Sequence, residues 1–359
     1  MKVAILTDTH VGVRNDAKAF LDSFERFSAW FLTYVNDPAS GIEHVFHLGD
    51  LVDRRKYVSY LTASRLHTTF LSKLGVPMDI IAGNHDEYFR EDHSINALRV
   101  LVTDKYPNVT VRSVPGETFV TGSPILMMPW ITKSTYEQSM AIIGATKAQV
   151  VFGHLELTGF EWQRGILSSD KMDPKLFDKF DVVASGHYHH KSTKGNIHYL
   201  GATGEYTWAD FDDPRGFHVY DSGTRKLSFV QNPETMFAKY IYDDTKNDLP
   251  NILKALESDQ FKDKMLKVIV REKTNPYWFD QAIARVEESG TADLQVVEDH
   301  LNLDAVSDED IGDVGDTMDV FRDYIDKLDL KVDRKRLDEV VNILYKEAMD
   351  TGVYQEVYG

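Results

Sequence analysis

Short apolar runs recur along the first two hundred positions, and each stops abruptly at a polar burst. Val3 to Leu6 ends in Thr7-Asp8-Thr9-His10, His44 to Leu48 in Gly49-Asp50-Leu51-Val52-Asp53, and Met78 to Ala82 in Gly83-Asn84-His85-Asp86. Runs this short, bounded by turn residues, predict buried strands. Between the first two, Asp16 to Asn36 carries Phe20, Phe24, Phe27, Phe31 and Tyr34 at spacings of three and four, a helix whose aromatic stripe packs on a sheet. Tyr60 to Leu74 reads as a second helix, stopped by Gly75 with Pro77 beyond. Strand, helix, strand, helix, strand predicts a parallel βαβαβ sheet, and the three bursts then share the edge where such sheets hold their chemistry.

The pattern continues less regularly. Ser94 to Thr103 predicts a helix, and Val109 to Arg112, Phe119 to Thr121 and Ile125 to Trp130 predict strands of a second, less parallel layer. After a helix at Ser134 to Ile143, the strand Gln149 to Phe152 ends in Gly153-His154, and Asp181 to Ala184 ends in Gly186-His187-Tyr188-His189. In both, glycine is expected to let the chain turn where a side chain must face the site. Ile197 to Leu200, Gly216 to Tyr220 and Leu227 to Val230 are expected to complete the second sheet, and Asn232-Pro233 marks a boundary.

Beyond it, Phe237 to Tyr242, Leu249 to Ser258, Leu266 to Arg271, Tyr277 to Glu288 and Leu294 to Val297 alternate strand and helix as a small α/β unit. Ala305 to Gly315 reads as an acidic linker. Met318 to Leu328 and Arg334 to Ala348 then form two amphipathic helices, with stripes Phe321, Ile325, Leu328 and Leu337, Val341, Leu344 large enough to need a partner groove unless they fold back. The boundaries are 1–232, 233–300, 301–316 and 317–359.

Composition narrows the chemistry. The absence of cysteine excludes disulfides, thiolate metal sites and thiol nucleophiles, so a metal falls to Asp, Glu, Asn or the thirteen histidines. No apolar stretch approaches a membrane span and the chain opens directly on a strand, so a cytoplasmic protein is expected. The net charge of −17 argues against coating nucleic acid by electrostatics alone. The acid is uneven: from Asp299 on, 17 Asp and Glu face 7 Lys and Arg. Arg54-Arg55-Lys56 is the one basic triplet of the first half and a candidate contact to a phosphate backbone, although such runs are often solvated turns.

Taken singly, a D-x-H triplet or a histidine after a strand is common. Five strand ends bearing Asp8-x-His10, Gly49-Asp50-x-x-Asp53, Gly83-Asn84-His85-Asp86, Gly153-His154 and Gly186-His187-x-His189 point jointly to a metal centre. In this order the motifs resemble those of the calcineurin-like metallophosphoesterases. Asp8-x-His10, the spacing to Gly-Asn-His-Asp and the final Gly-His-x-His look like the nuclease subunit of the SbcCD type, which phages encode as a recombination endonuclease subunit. The resemblance covers about the first 230 residues.

It implies an α/β fold: a four-layer β-sandwich flanked by helices, a small domain that caps the site, and a C-terminal helical pair. It makes Asp8, His10, Asp50 and His189 ligands of one divalent ion and Asp50, Asn84, His154 and His187 ligands of another, with Asp50 bridging. His85 becomes a catalytic residue that binds no metal. Asp53 stands where some members carry a second histidine, and Leu200-Gly201-Ala202 stands where relatives often read Pro-Gly-Ser. Manganese is the metal implied, with iron, zinc or magnesium as substitutes. The implied function is a DNA exonuclease or endonuclease in double-strand-break repair and recombination, with double-stranded DNA ends as substrate. The implied partner is an SMC-like coiled-coil ATPase of the SbcC type, gripped by the terminal helices around a homodimer within a heterotetramer, with no membrane. The rivals are a small-molecule or cyclic-nucleotide phosphodiesterase of the same superfamily, and a non-catalytic scaffold, which the full set of motif ligands disfavours.

Overall fold

The computed structural model describes residues 1–256 and 259–298. Seventeen strands occur among them: β1 Lys2–Leu6, β2 Ile42–His47, β3 Met78–Ile81, β4 Val109–Arg112, β5 Gly116–Thr118, β6 Ile125–Met128, β7 Val150–His154, β8 Glu161–Gln163, β9 Ile166–Leu167, β10 Val182–Gly186, β11 Ser192–Lys194, β12 Ile197–Tyr199, β13 Gly216–Asp221, β14 Lys226–Gln231, β15 Phe237–Asp243, β16 Met265–Glu272 and β17 Asp293–Glu298. The first sheet runs β14-β13-β1-β2-β3-β4 and the second β11-β12-β10-β7-β6-β5. In the first, β1 to β4 are mutually parallel, as the βαβαβ reading requires. In the second, β6, β7, β10 and β12 are parallel.

The sheets face each other across an apolar layer in which Val3, Ile5, Phe46, Leu48 and Ile81 meet Ile125, Met127, Val150, Phe152 and Ala184, all buried. Strand residues alternate faces, so Ala4, Leu6, Val45 and Ile80 point outward. There they pack under the helix Lys18–Asn36 through Phe24, Phe27, Phe31 and Val35. On the far side, Leu126, Val151 and Val183 are covered by the helix Tyr136–Ala145 and by Phe177 and Phe180. Helix, sheet, sheet, helix is the four-layer sandwich expected. Phe20 departs from the rest of its stripe, leaning on Ala202, Tyr206, Met236 and Phe237 instead.

Four expectations need correction. β13 and β14 belong to the first sheet, where β13 runs antiparallel to β1 with Ile5 opposite His218; the exposed side of β1 offered an edge that local sequence does not reveal. β4 likewise extends the first sheet beside β3. The strand expected at Phe119 to Thr121 lies three residues earlier, because Gly116–Thr118 pairs with β6 and buries Thr118, leaving Phe119 64% exposed. Finally, Tyr60 to Leu74 is no single α-helix: an α-turn at Tyr60–Arg65 widens to a π-turn at Leu66–Phe70 and tightens at Leu71–Lys73, so that Leu66, Phe70 and Leu71 all reach the core.

The small α/β unit forms a parallel sheet, β15-β16-β17, with helices Leu249–Ala255 and Pro276–Glu288. Its own core is Tyr242, Ile252, Leu266, Val268, Val270, Ala282 and Val286. The linker and terminal helices expected from 301 onward lie outside the described residues, as do Phe321, Ile325, Leu328, Leu337, Val341 and Leu344.

Candidate metal centre

Strands β1, β2, β3, β7 and β10 deliver their C-terminal ends to one edge of the sandwich, and all five polar bursts meet there. Three groups of donors lie with their atoms within 4.8 Å of one another: Asp8, His10 and His189; His10, Asp50 and His85; and Asp50, His154 and His187. Asn84 joins the last, its Oδ1 lying 3.0 Å from His154 Nε2 and 2.9 Å from His187 Nδ1.

The backbone is bent to achieve this. Asp8, His10, Asp50 and His187 all adopt positive φ, at 51, 42, 54 and 90°. For residues with a Cβ such conformations cost on the order of 1 kcal/mol or more each, so the surrounding contacts must hold them. Those contacts are visible. Asp8 N–H donates to Gly49 O at 3.0 Å and His10 N–H to Asp50 O at 3.1 Å, zipping the first two bursts together. Tyr206 O–H donates to Asp8 O and lies 2.9 Å from Thr9 O. Asp86, buried, accepts from Leu51 N–H, Val52 N–H and Gly83 N–H, tying the second burst to the third.

Gly49 turns the chain with φ 95°, whereas Gly186, where a turn was expected, has no positive φ. At Gly83 and Gly186 the requirement is close approach: a Cβ would lie 2.2 Å from Asp50 Oδ1 at the first and 2.0 Å from Thr7 Oγ1 at the second.

The electrostatics ask for a cation. His154 Nδ1 faces Leu48 O at 2.7 Å, so that nitrogen carries a proton, and Nε2 faces Asn84 Oδ1 and, 3.4 Å away, Asp50 Oδ2. Acceptors aimed at acceptors repel unless a proton or a metal lies between them. His10 Nε2 and His189 Nε2 stand 3.0 Å apart in the same predicament. Burial would lower His154, yet Asp50 and Asp8 raise it to about 9; burial would lower His10, yet Asp53, Asp50 and Asp8 raise it to about 9. Burial would raise Asp50, but His154, His85 and His10 hold it well below the ordinary carboxylate range. His189 is pushed well down by burial and by His10. Anionic and imidazole donors in this density, without thiolate, fit one or more divalent ions of the manganese, iron or zinc kind.

His85 N–H donates to Asp50 Oδ1 at 2.7 Å, and its Nδ1 lies 2.5 Å from Asp53 O. The Asp53 carboxylate is 3.4 Å from His10 Nδ1. The basic triplet fares less well. Arg54 is committed to Asp16 and to Tyr57 O–H, whereas Arg55 is half-buried and Lys56 exposed.

Sequence reasoning assigned no role to Asp86, although it completes a quoted motif, and missed Tyr206, which lies 198 positions from Asp8. It also missed Glu156, two residues past His154 with Oε1 3.5 Å from His187 Nε2, held down to about 2 by His187 and Lys171. Trp130, against the His187 ring at 4.9 Å, completes the wall. A cleft of about 800 Å³ opens from His187 and His189, with Trp162, Arg164 and Lys171 along its sides.

Two facing sheets that converge carboxylate, amide and imidazole donors on one edge define a metallophosphoesterase. The model of the calcineurin-like phosphoesterases matches residues 1–191, and the chain belongs to that family of phosphate-ester hydrolases. It is similar to exonuclease subunit 1 of Enterobacteria phage T4, 27% identical over 357 residues, which are 97% of this chain and 99% of that one. It is also similar to the SbcD component of the SbcCD nuclease from Staphylococcus saprophyticus, 24% identical over 183 residues, 44% of this chain and 48% of that one. Among solved structures, an archaeal phosphodiesterase matches 65% of this chain and 100% of its own at 12% identity, with a TM-score of 0.35.

Proposed function

We propose that this chain is the DNA-cutting subunit of a recombination and double-strand-break repair nuclease, hydrolysing phosphodiesters with two divalent ions, manganese foremost. The observation that carries the reading is the convergence of Asp8, His10, Asp50, Asn84, His154, His187 and His189 within a few ångströms. The names of the two relatives, an exonuclease subunit and a nuclease subunit, support a nucleic-acid substrate.

Asp8, His10, Asp50 and His189 would hold one ion and Asp50, Asn84, His154 and His187 the other. Two such ions neutralise an anionic diester and supply hydroxide near neutral pH. The protein does the rest. Asp50 reaches both donor groups, and the His85 N–H fixes one of its oxygens. His85, its Nδ1 engaged by the Asp53 carbonyl, keeps its other nitrogen for the proton of the leaving oxygen. Asp53 acts through others, orienting His10 by its carboxylate and His85 by its carbonyl.

Residues 233–300 serve in this reading as the capping, DNA-recognising domain, and 317–359, beyond the acidic linker 301–316, as the segment that grips a coiled-coil ATPase. That partner and double-stranded DNA are the expected company, around a homodimer working in the cytoplasm, the host's if a phage encodes the chain. Among the described residues no helix is long and apolar enough to cross a membrane.

One observation favours the rival: the cleft of about 800 Å³ beside His187 and His189 is within the range that holds small ligands. Manganese-dependent cleavage of linear duplex DNA, measured against hydrolysis of a small phosphodiester and with the ATPase partner present or absent, separates the two. Duplex cleavage supports the nuclease; turnover of small diesters alone overturns it.

A further inference from the structure

A nuclease chain of net charge −17 needs a local means of holding a polyanion, and its basic triplet is largely spoken for. The open flank of the sandwich offers one. There the edge strands β11 of the second sheet and β14 of the first border a groove of about 570 Å³, and none of its lining residues is acidic. Lys191 stands at one end, Arg225 and Lys226 at the other.

The groove begins at the metal centre. Lys191 follows His189 by two positions, and both pack on Gly201, where a Cβ would lie 2.7 Å from Lys191 Cγ and 2.9 Å from His189 O. Gly201, the position Leu200-Gly201-Ala202 shares with the relatives' Pro-Gly-Ser, has φ 74° and no Cβ, and so lets the two segments close on each other. Lys191 is fixed over the Phe229 ring at 3.5 Å and by the carbonyl of Pro214. Because β13 runs antiparallel to β1, and β14 to β13, His218 and Phe229 lie toward the metal-centre edge, while Lys226 and Arg225 lie toward the opposite end. From Phe229 to Arg225 the chain spans roughly 13 Å, room for about two to three successive phosphates along the backbone of one DNA strand.

The floor has unmet hydrogen-bonding capacity. His218 Nδ1 and Ser192 Oγ are buried atoms with no hydrogen-bond partner in the protein. Arg225 is paired with the Asp181 carboxylate. Lys226 is exposed, and no carboxylate pairs with it among the described residues.

We propose that this groove is a backbone-phosphate track for duplex DNA, holding the strand outside the point of cleavage and leading away from the candidate metal centre past Lys191. The proposal rests on the nuclease reading for its ligand. Its chemistry is simple: cations spaced along a groove without carboxylates bind phosphate oxygens without reading sequence.

The test compares the full chain with R225Q/K226E, and with K147E, an exposed lysine that does not line the groove, as a charge control. Duplex affinity is measured by fluorescence anisotropy over a range of salt, and hydrolysis of a small phosphodiester is followed in parallel. R225Q/K226E is expected to weaken duplex binding about tenfold or more and to flatten the dependence of log K on log salt by about 2. Its small-diester turnover stays at wild-type level, which shows a folded, metal-loaded site. Unchanged affinity and slope, or an equal loss in K147E, overturns the track. Failure of the nuclease reading shows separately, as a wild type that turns over the small diester but neither binds nor cuts duplex.

Discussion

The two sheets of the sandwich contribute to the same centre in different ways. The first supplies the anions and the amide, Asp8, Asp50 and Asn84, along with His10 and His85, on turns locked to one another by backbone hydrogen bonds and by Asp86. The second supplies imidazoles, His154, His187 and His189, which meet the first sheet mainly through ring nitrogens. The difference has a physical cause. A carboxylate must be held against its own desolvation and the repulsion of its neighbours, which takes several donors. An imidazole needs only one hydrogen bond to set its orientation, as Leu48 O does for His154. The carboxylates and their fixed turns therefore come from one side and most of the imidazoles from the other.

The contrast can be broken most directly at Asp50. Asp50→Ala removes the group that touches both donor sets, so turnover should fall to background and no added metal should restore it; elemental analysis should find the protein depleted of ions. A second-sheet change should be milder. His154→Asn is expected to weaken metal binding by about one to two orders of magnitude, with activity recovered at high manganese; failure to recover would put the two sheets on an equal footing. His85→Ala sharpens the comparison from within the first sheet, because it should cut turnover about 10² to 10⁴-fold while both ions stay bound. An empty site in that variant would make His85 a ligand.

Asp86→Ala tests the scaffold itself. It strips three backbone donors of their buried acceptor and should lower stability by roughly 1–3 kcal/mol per group left unpaired, read as a shifted denaturation midpoint. The smallest effect is expected at Arg54→Ala. Its partly exposed pair with Asp16 is worth about 1 kcal/mol or less, and small-diester turnover should not change.

Much of this was legible from the chain. The five strand-end motifs named the residues that converge, and the alternation of strand and helix gave the parallel order of β1, β2 and β3. The fivefold Phe and Tyr stripe showed the face of the helix Lys18–Asn36 that covers the first sheet, apart from Phe20, which a separate cluster claimed. Phe119 misled because an aromatic beside a valine resembles a strand when it is in fact 64% exposed. Arg54 looked available because its partner Asp16 lies 38 positions away.

The sequence by itself determined which donors exist and the strand ends that carry them, because hydrophobic period and glycine placement are local properties. It also excluded thiolate chemistry outright. Only the tertiary structure decided that β13 and β14 close the first sheet, that Asp86 and Tyr206 pin the turns, and that a groove lined in part by Lys191, Arg225 and Lys226 runs along the flank of the sandwich. Those outcomes depend on which edges meet and which backbone groups are left unpaired once the sheets are stacked, and no short stretch of chain holds that information.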